Sequence, residues 1–98
     1  MSNPADRLPP LDLLVAFEAV ARHGSVTRAA AERFITQSAL SRQVQALESA
    51  LGVPVFERRH RALVLTPAGE RLLAATRGAV AQLSEAVASI RAPRPPAP

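Results

Sequence analysis

Gln37, Ser38, Ser41, Arg42 and Gln45 have types and spacing that suggest chemistry. At ~100° per residue on a helix Ser38, Ser41, Arg42 and Gln45 share one side with Ser49, while Leu40, Val44, Leu47 and Leu51 fall in a narrow arc opposite and Gln37 opens the helix. The polar face carries an amide, hydroxyls and one guanidinium, and no carboxylate. Such groups donate hydrogen bonds to bases and phosphates. Catalysis is a poor fit. No Ser/His/Asp or paired-carboxylate arrangement stands out, and His23 and His60 are isolated from any cluster at metal-ligand spacing. No metal and no cofactor is expected. Glu48 lies inside the same helix, near Arg42 and Gln45, and reads as half of a surface ion pair.

The composition agrees with an anionic partner. Among 98 residues there are 12 basic and 8 acidic side chains, a net charge of +4, and the pI is about 11.5. All the basic residues are arginine, the side chain suited to bidentate phosphate or guanine recognition; an Ala- and Arg-rich composition also follows from GC-rich codons. The length allows one small domain. With 48% hydrophobic residues and three aromatics, Phe17, Phe34 and Phe56, its core must be mainly Leu, Val and Ala. Cysteine is absent, which excludes a disulfide scaffold and thiol chemistry. No apolar run approaches the ~20 residues of a membrane span, and the start of the chain lacks the apolar core of a signal peptide. A cytoplasmic, nucleoid-associated location is expected.

The elements that must position the polar face follow from local signals. Residues 1–9 read as a disordered or extended arm, because Pro9 and Pro10 block an earlier helix. Leu13, Leu14, Phe17, Val20 and Ala21 recur at helical spacing from Leu11 to Arg22, and Gly24 ends that helix. Ser25 caps a second helix, Val26 to Arg33, whose Ala29, Ala30 and Ala31 leave a flat surface for close approach. Thr36 caps the third, with Ile35 and Leu40 placed for a hydrophobic staple, and Gly52 stops it. Two short helices joined by about three residues make a helix-turn-helix. Phe56 to Arg58 and Leu63 to Leu65 can pair as a hairpin with Arg59, His60, Arg61 and Ala62 at its tip, a basic wing. Thr66-Pro67 starts a last helix that can run to Arg91. Along it Leu73, Thr76, Val80, Leu83, Val87 and Ile90 step by 3 and 4, a heptad seam. That face could pack on the domain's own first helix. A helix of this length is ~37 Å long, more than so small a core can cover, so a second chain is the favoured cover. Residues 92–98 read as a Pro-rich linker.

Three stretches, SVTRAA (25–30), ITQSALSRQVQALESALGVPVFER (35–58) and LTPAGERLL (65–73), resemble the N-terminal region of LysR-type transcriptional regulators in order and spacing. The likeness spans roughly residues 8 to 92. It implies a mainly α fold: a winged helix-turn-helix over 10–66, then a linker helix over 67–91 that pairs two subunits. It implies base reading in the major groove by Gln37, Ser38, Ser41, Arg42 and Gln45, with Ser38 standing where many members have proline. Ser25, Thr27, Arg28 and Thr36 match the family's phosphate contacts around the helix-turn-helix, and Arg58, Arg59 and Arg61 match its basic wing. The partners implied are double-stranded DNA and a second copy of the chain, with a tetramer as the further assembly of the full-length protein. In the family a ligand-binding domain follows. None follows here, so a DNA-binding fragment or stand-alone domain is expected, with any small-molecule effector acting only through that C-terminal domain.

Two other classes compete. A protein-interaction module would use the third helix against another protein, but that face lacks the Trp, Tyr or large apolar anchors of interface hot spots. A membrane-surface helix would use Arg71, Arg77 and Arg91, but has no aromatic anchor. Those arginines read as solubilising, and the remaining carboxylates, Glu18, Glu32 and Glu57 among them, as solvated faces or caps.

Overall fold

The computed structural model describes residues 3–93. Four helices and one two-stranded antiparallel hairpin follow in the order α1 (Leu11–His23), α2 (Val26–Glu32), α3 (Gln37–Leu51), β1 (Phe56–Arg59), β2 (Ala62–Leu65) and α4 (Pro67–Arg91). The arm expected to be disordered or extended instead carries one 3-10 turn, Pro4–Arg7. Asn3 Oδ1 accepts from the Ala5 amide at 3.0 Å, and Asp6 returns the contact by accepting from the Asn3 amide at 3.2 Å. The proposed Pro-rich linker lies mostly outside the described residues.

The helix ends form where small polar and glycine residues permit. α1 runs one residue further than its apolar spacing suggests, and Gly24 closes it at φ 62°, its amide donating to the Val20 carbonyl at 2.8 Å. Gly52 does the same for α3 at φ 77°, a left-handed position that glycine adopts without a Cβ penalty. Thr36 Oγ1 accepts from the Ala39 amide at 3.1 Å. In α2, which stops at Glu32, Ala29 and Ala30 are buried. Their lack of side-chain bulk lets α1 and α3 approach, as the alanine run suggested.

The core lies between α1 and α3. Phe17, Val20, Leu40, Leu47 and Val55 are fully buried, each such side chain worth ~1.5–3 kcal/mol by transfer from water. A lone hairpin is unstable; this one is held by the Phe56 ring, 5.3 Å from that of Phe17 and tilted 46° to it. The strands are longer and the tip tighter than the sequence suggested. Arg59 pairs with Ala62, so only His60 and Arg61 turn the chain, at φ 50° and 69°. Two positive φ values in a two-residue loop match the right-handed twist of the strands. Asn-Gly, the usual signal for such a turn, is missing here.

Glu48 does not form the expected surface ion pair. Its Oε2 accepts from the Val55 amide at 2.8 Å and is 3.5 Å from that of Phe56. The carboxylate serves these two amides where the chain enters the strand: Val55 precedes the ladder and Phe56 is its first residue. Thr66 performs the matching task on the other side. Its hydroxyl donates to the Pro54 carbonyl at 2.8 Å and accepts from the Gly69 amide at 3.0 Å, while its amide donates to Val55. A Cβ at Gly69 would sit 2.1 Å from the Val55 carbonyl oxygen. Only glycine lets the first turn of α4 lie flat on that carbonyl.

α4 divides in two. Leu73 and Thr76 are buried within the domain itself, which removes them from the proposed two-chain seam. Leu73 belongs to the domain's own core cluster, so that core covers this part of the stripe. Val80 is half-buried, and Leu83, Val87 and Ile90 are 54%, 42% and 82% exposed. The helix outruns the core, and the protein measures 61 Å along its longest axis.

Candidate nucleic-acid interface

The geometry of α2 is fixed before any partner arrives. Arg22, at the end of α1, donates from Nε to Glu18 at 2.9 Å and from Nη2 to Glu32 at 2.7 Å; His23 Nε2 lies 3.1 Å from Glu32. These bonds tie the last turn of α1 to the last turn of α2. The Arg22 guanidinium, then His23, holds the Glu32 carboxyl down at about 2. The same bonds, Glu32 first and Glu18 second, push the Arg22 pKa above its usual value. Glu18 and Glu32 are therefore paired, where the sequence suggested solvated carboxylates.

With α2 held and α3 packed on α1, a polar cleft opens between the two helices and the wing. Ser25 and Thr27 from the start of α2, Gln37 and Ser41 from α3, and Arg58 and Arg61 from the wing line it. Six of the residues expected to read bases or hold phosphates are brought together here. None of the residues lining this cleft is acidic. Ser25 Oγ accepts from the Arg28 amide at 3.2 Å. A hydroxyl used as a cap in this way still has its own hydrogen to donate, so Ser25 and Thr36 can cap a helix and hold a phosphate at once.

The other expected residues stand around the cleft. Ser38, Arg42 and Gln45 are exposed on the outer ridge of α3, one helical turn apart. Arg28 and Thr36 are exposed near the starts of α2 and α3. Arg59 is separated from the cleft-lining arginines. Strand alternation puts it on the opposite face from Arg58, where its Nε donates to Glu57 Oε1 at 2.9 Å.

Phe34 falls in the short turn where the sequence places it with Ile35, but its backbone conformation was not legible there. It sits in the turn before α3 at φ 57° and is 94% exposed. Nothing in its residue type signals a left-handed position, which favours glycine or asparagine. The Gly69 contact had a readable signal, a glycine in a helical first turn where it costs helix propensity. The role of Glu48 had none.

This arrangement can be compared with known proteins. The model for the bacterial regulatory helix-turn-helix protein, lysR family, matches residues 11–70. The chain belongs to the lysR family. Its helices and wing form that family's winged-helix DNA-binding domain. The glycine cleavage system transcriptional activator of Escherichia coli K12 is 46% identical over 86 residues, covering 88% of this chain and 28% of the relative. The transcriptional activator AmpR of Pseudomonas aeruginosa is 58% identical over 64 residues, 65% of this chain and 22% of the relative. This lysR-family chain thus spans about a quarter of the length of these two relatives. Among solved structures, the BenM DNA-binding domain in complex with catB site 1 DNA superposes at TM-score 0.79 with 32% identity, covering 85% of this chain and 93% of that one. The CbnR DNA-binding domain complex with DNA gives 0.74 with 35% identity, covering 85% and 95%.

Proposed function

We propose that this lysR-family domain binds specific double-stranded DNA as a homodimer on paired half-sites, acting in the cytoplasm at the nucleoid. α3 enters the major groove, where Gln37, Ser38, Ser41, Arg42 and Gln45 face the base edges. Ser25, Thr27, Arg28 and Thr36 meet phosphates at the starts of α2 and α3, and Arg58, Arg59 and Arg61 meet them from the wing. The observation that carries this reading is the cleft of Ser25, Thr27, Gln37, Ser41, Arg58 and Arg61, a concave donor-rich surface without a carboxylate. Phosphate contacts set position, and base contacts set sequence.

The second subunit is argued from the free half of α4. Leu83 and Val87 join Leu11 and Val15 of α1 along one apolar groove, too exposed to be satisfied within one chain. Two domains joined there make the second half-site contact intramolecular, which can raise avidity by ~10²–10⁴. Any small-molecule effector, and assembly to a tetramer, is assigned to the full-length protein.

Selection from randomised duplexes, followed by titration of the enriched and scrambled sequences, tests the reading. Enrichment of a two-fold related site is expected. Arg42→Ala should lower the ratio of the two affinities, because one bidentate base contact carries ~1–3 kcal/mol of discrimination. Equal retention of all sequences would overturn the specific reading.

A further inference from the structure

We propose that Glu57 is an internal competitor for DNA: its carboxylate occupies Arg59 in the free domain as a phosphate would, and gives it up when the wing meets the backbone. This rests on the DNA reading above and names a residue that regulates it. Three observations carry it. Arg59 Nε donates to Glu57 Oε1 at 2.9 Å. Glu57 and Arg59 lie two residues apart on β1, hence on one face of a strand, the face opposite Arg58. The Arg59 side chain is 70% exposed and that of Glu57 41%, so the pair stands in water where a polyanion can reach it.

The competition follows from valence and geometry. A carboxylate and a phosphate present similar oxygen pairs to a guanidinium, and Arg59 Nε cannot serve both at this distance. An exposed ion pair is weak, so a phosphate with its neighbours displaces it readily. The cost is nevertheless charged to every duplex alike, since phosphate contacts carry no sequence information. Glu57 also leaves a negative charge beside the backbone after exchange. Both effects lower affinity for any DNA and leave the ratio of specific to non-specific binding unchanged. The wing then acts with a net charge one unit below the number of its arginines, and the domain lets go of every sequence sooner by the same factor.

Glu57→Gln tests this, because it keeps size and hydrogen-bonding capacity while removing the charge. Affinity for enriched and scrambled duplexes at low salt should rise by the same factor, about 3- to 10-fold. The slope of log affinity against log salt should steepen by up to ~0.9, so the gain shrinks about 3-fold between 50 and 200 mM salt. In an Arg59→Ala background the same change should give less than half that gain, because the group it competes for is gone. In the free domain, the Arg59 Nε–H resonance should move on Glu57→Gln, and in the wild type it should move again on adding duplex. Unchanged or weaker binding by Glu57→Gln overturns the proposal, as does a full gain in the Arg59→Ala background or an unmoved Arg59 resonance. Wild-type protein that binds no duplex overturns the DNA reading itself, a result separate from Glu57→Gln matching a wild type that binds.

Discussion

The two halves of α4 share one helix and one heptad spacing, yet they are covered differently. Leu73 and Thr76 sit at 8% and 5% exposure against the domain's own core, while Leu83 and Ile90, on the same stripe, are 54% and 82% exposed. The difference is one of reach. α1 is 13 residues long and α4 is 25, so a single domain can cover only part of the longer helix. A periodic apolar stripe shows that a face will be covered, and not by whom.

The largest expected effect breaks the near half. Leu73→Ala should cost ~2–5 kcal/mol of stability, the range for truncating a buried leucine, whereas Leu83→Ala should stay within ~0.5 kcal/mol in a dilute, monomeric sample. Urea unfolding of both variants checks the contrast; equal losses would show that the far half is also part of the fold. Gly69→Ala attacks the same docking through the backbone. With a Cβ 2.1 Å from the Val55 carbonyl oxygen, the helix must shift, and a loss of ~1–3 kcal/mol is expected as for overpacking. The companion Gly78→Ala, with nothing within 4 Å of its added Cβ, should stabilise by up to ~1 kcal/mol through helix propensity.

The far half is tested by charge. Leu83→Asp with Val87→Asp should leave the melting of the winged domain nearly unchanged, since neither residue belongs to its core. Sedimentation should show a monomer, and affinity should fall far more on a paired site than on a half-site. A double variant that stays dimeric at micromolar concentration would refute the far half as an interface.

The smallest effect is a titration within the compact half. Glu32 is held at about 2, below its ordinary 4.5, so the folded state favours its ionised form. That stabilisation is present above pH 4.5 and fades as the pH falls toward 2. Glu32→Gln should flatten the stability profile in that window. Its exposure and the screening of its partners keep the change small. A profile identical to wild type would mean that the Arg22 pairing is not formed in solution.

The local grammar of this protein was legible from residue types. Ser25, Thr36, Gly52 and Thr66 mark helix ends because capping is decided by one side chain and its nearest amides. The apolar stripe and the donor face of α3 were legible for the same reason: a helix converts spacing directly into direction. Tertiary structure decided what depends on residues distant in sequence. It turned Glu48 from an ion-pair partner into the acceptor for Val55, laid Gly69 on a carbonyl fourteen positions earlier, and paired Arg22 with Glu32 across two helices. It also divided the α4 stripe between the domain's own core and solvent. Spacing sets which way a side chain points along its own element; only packing sets what stands there to meet it.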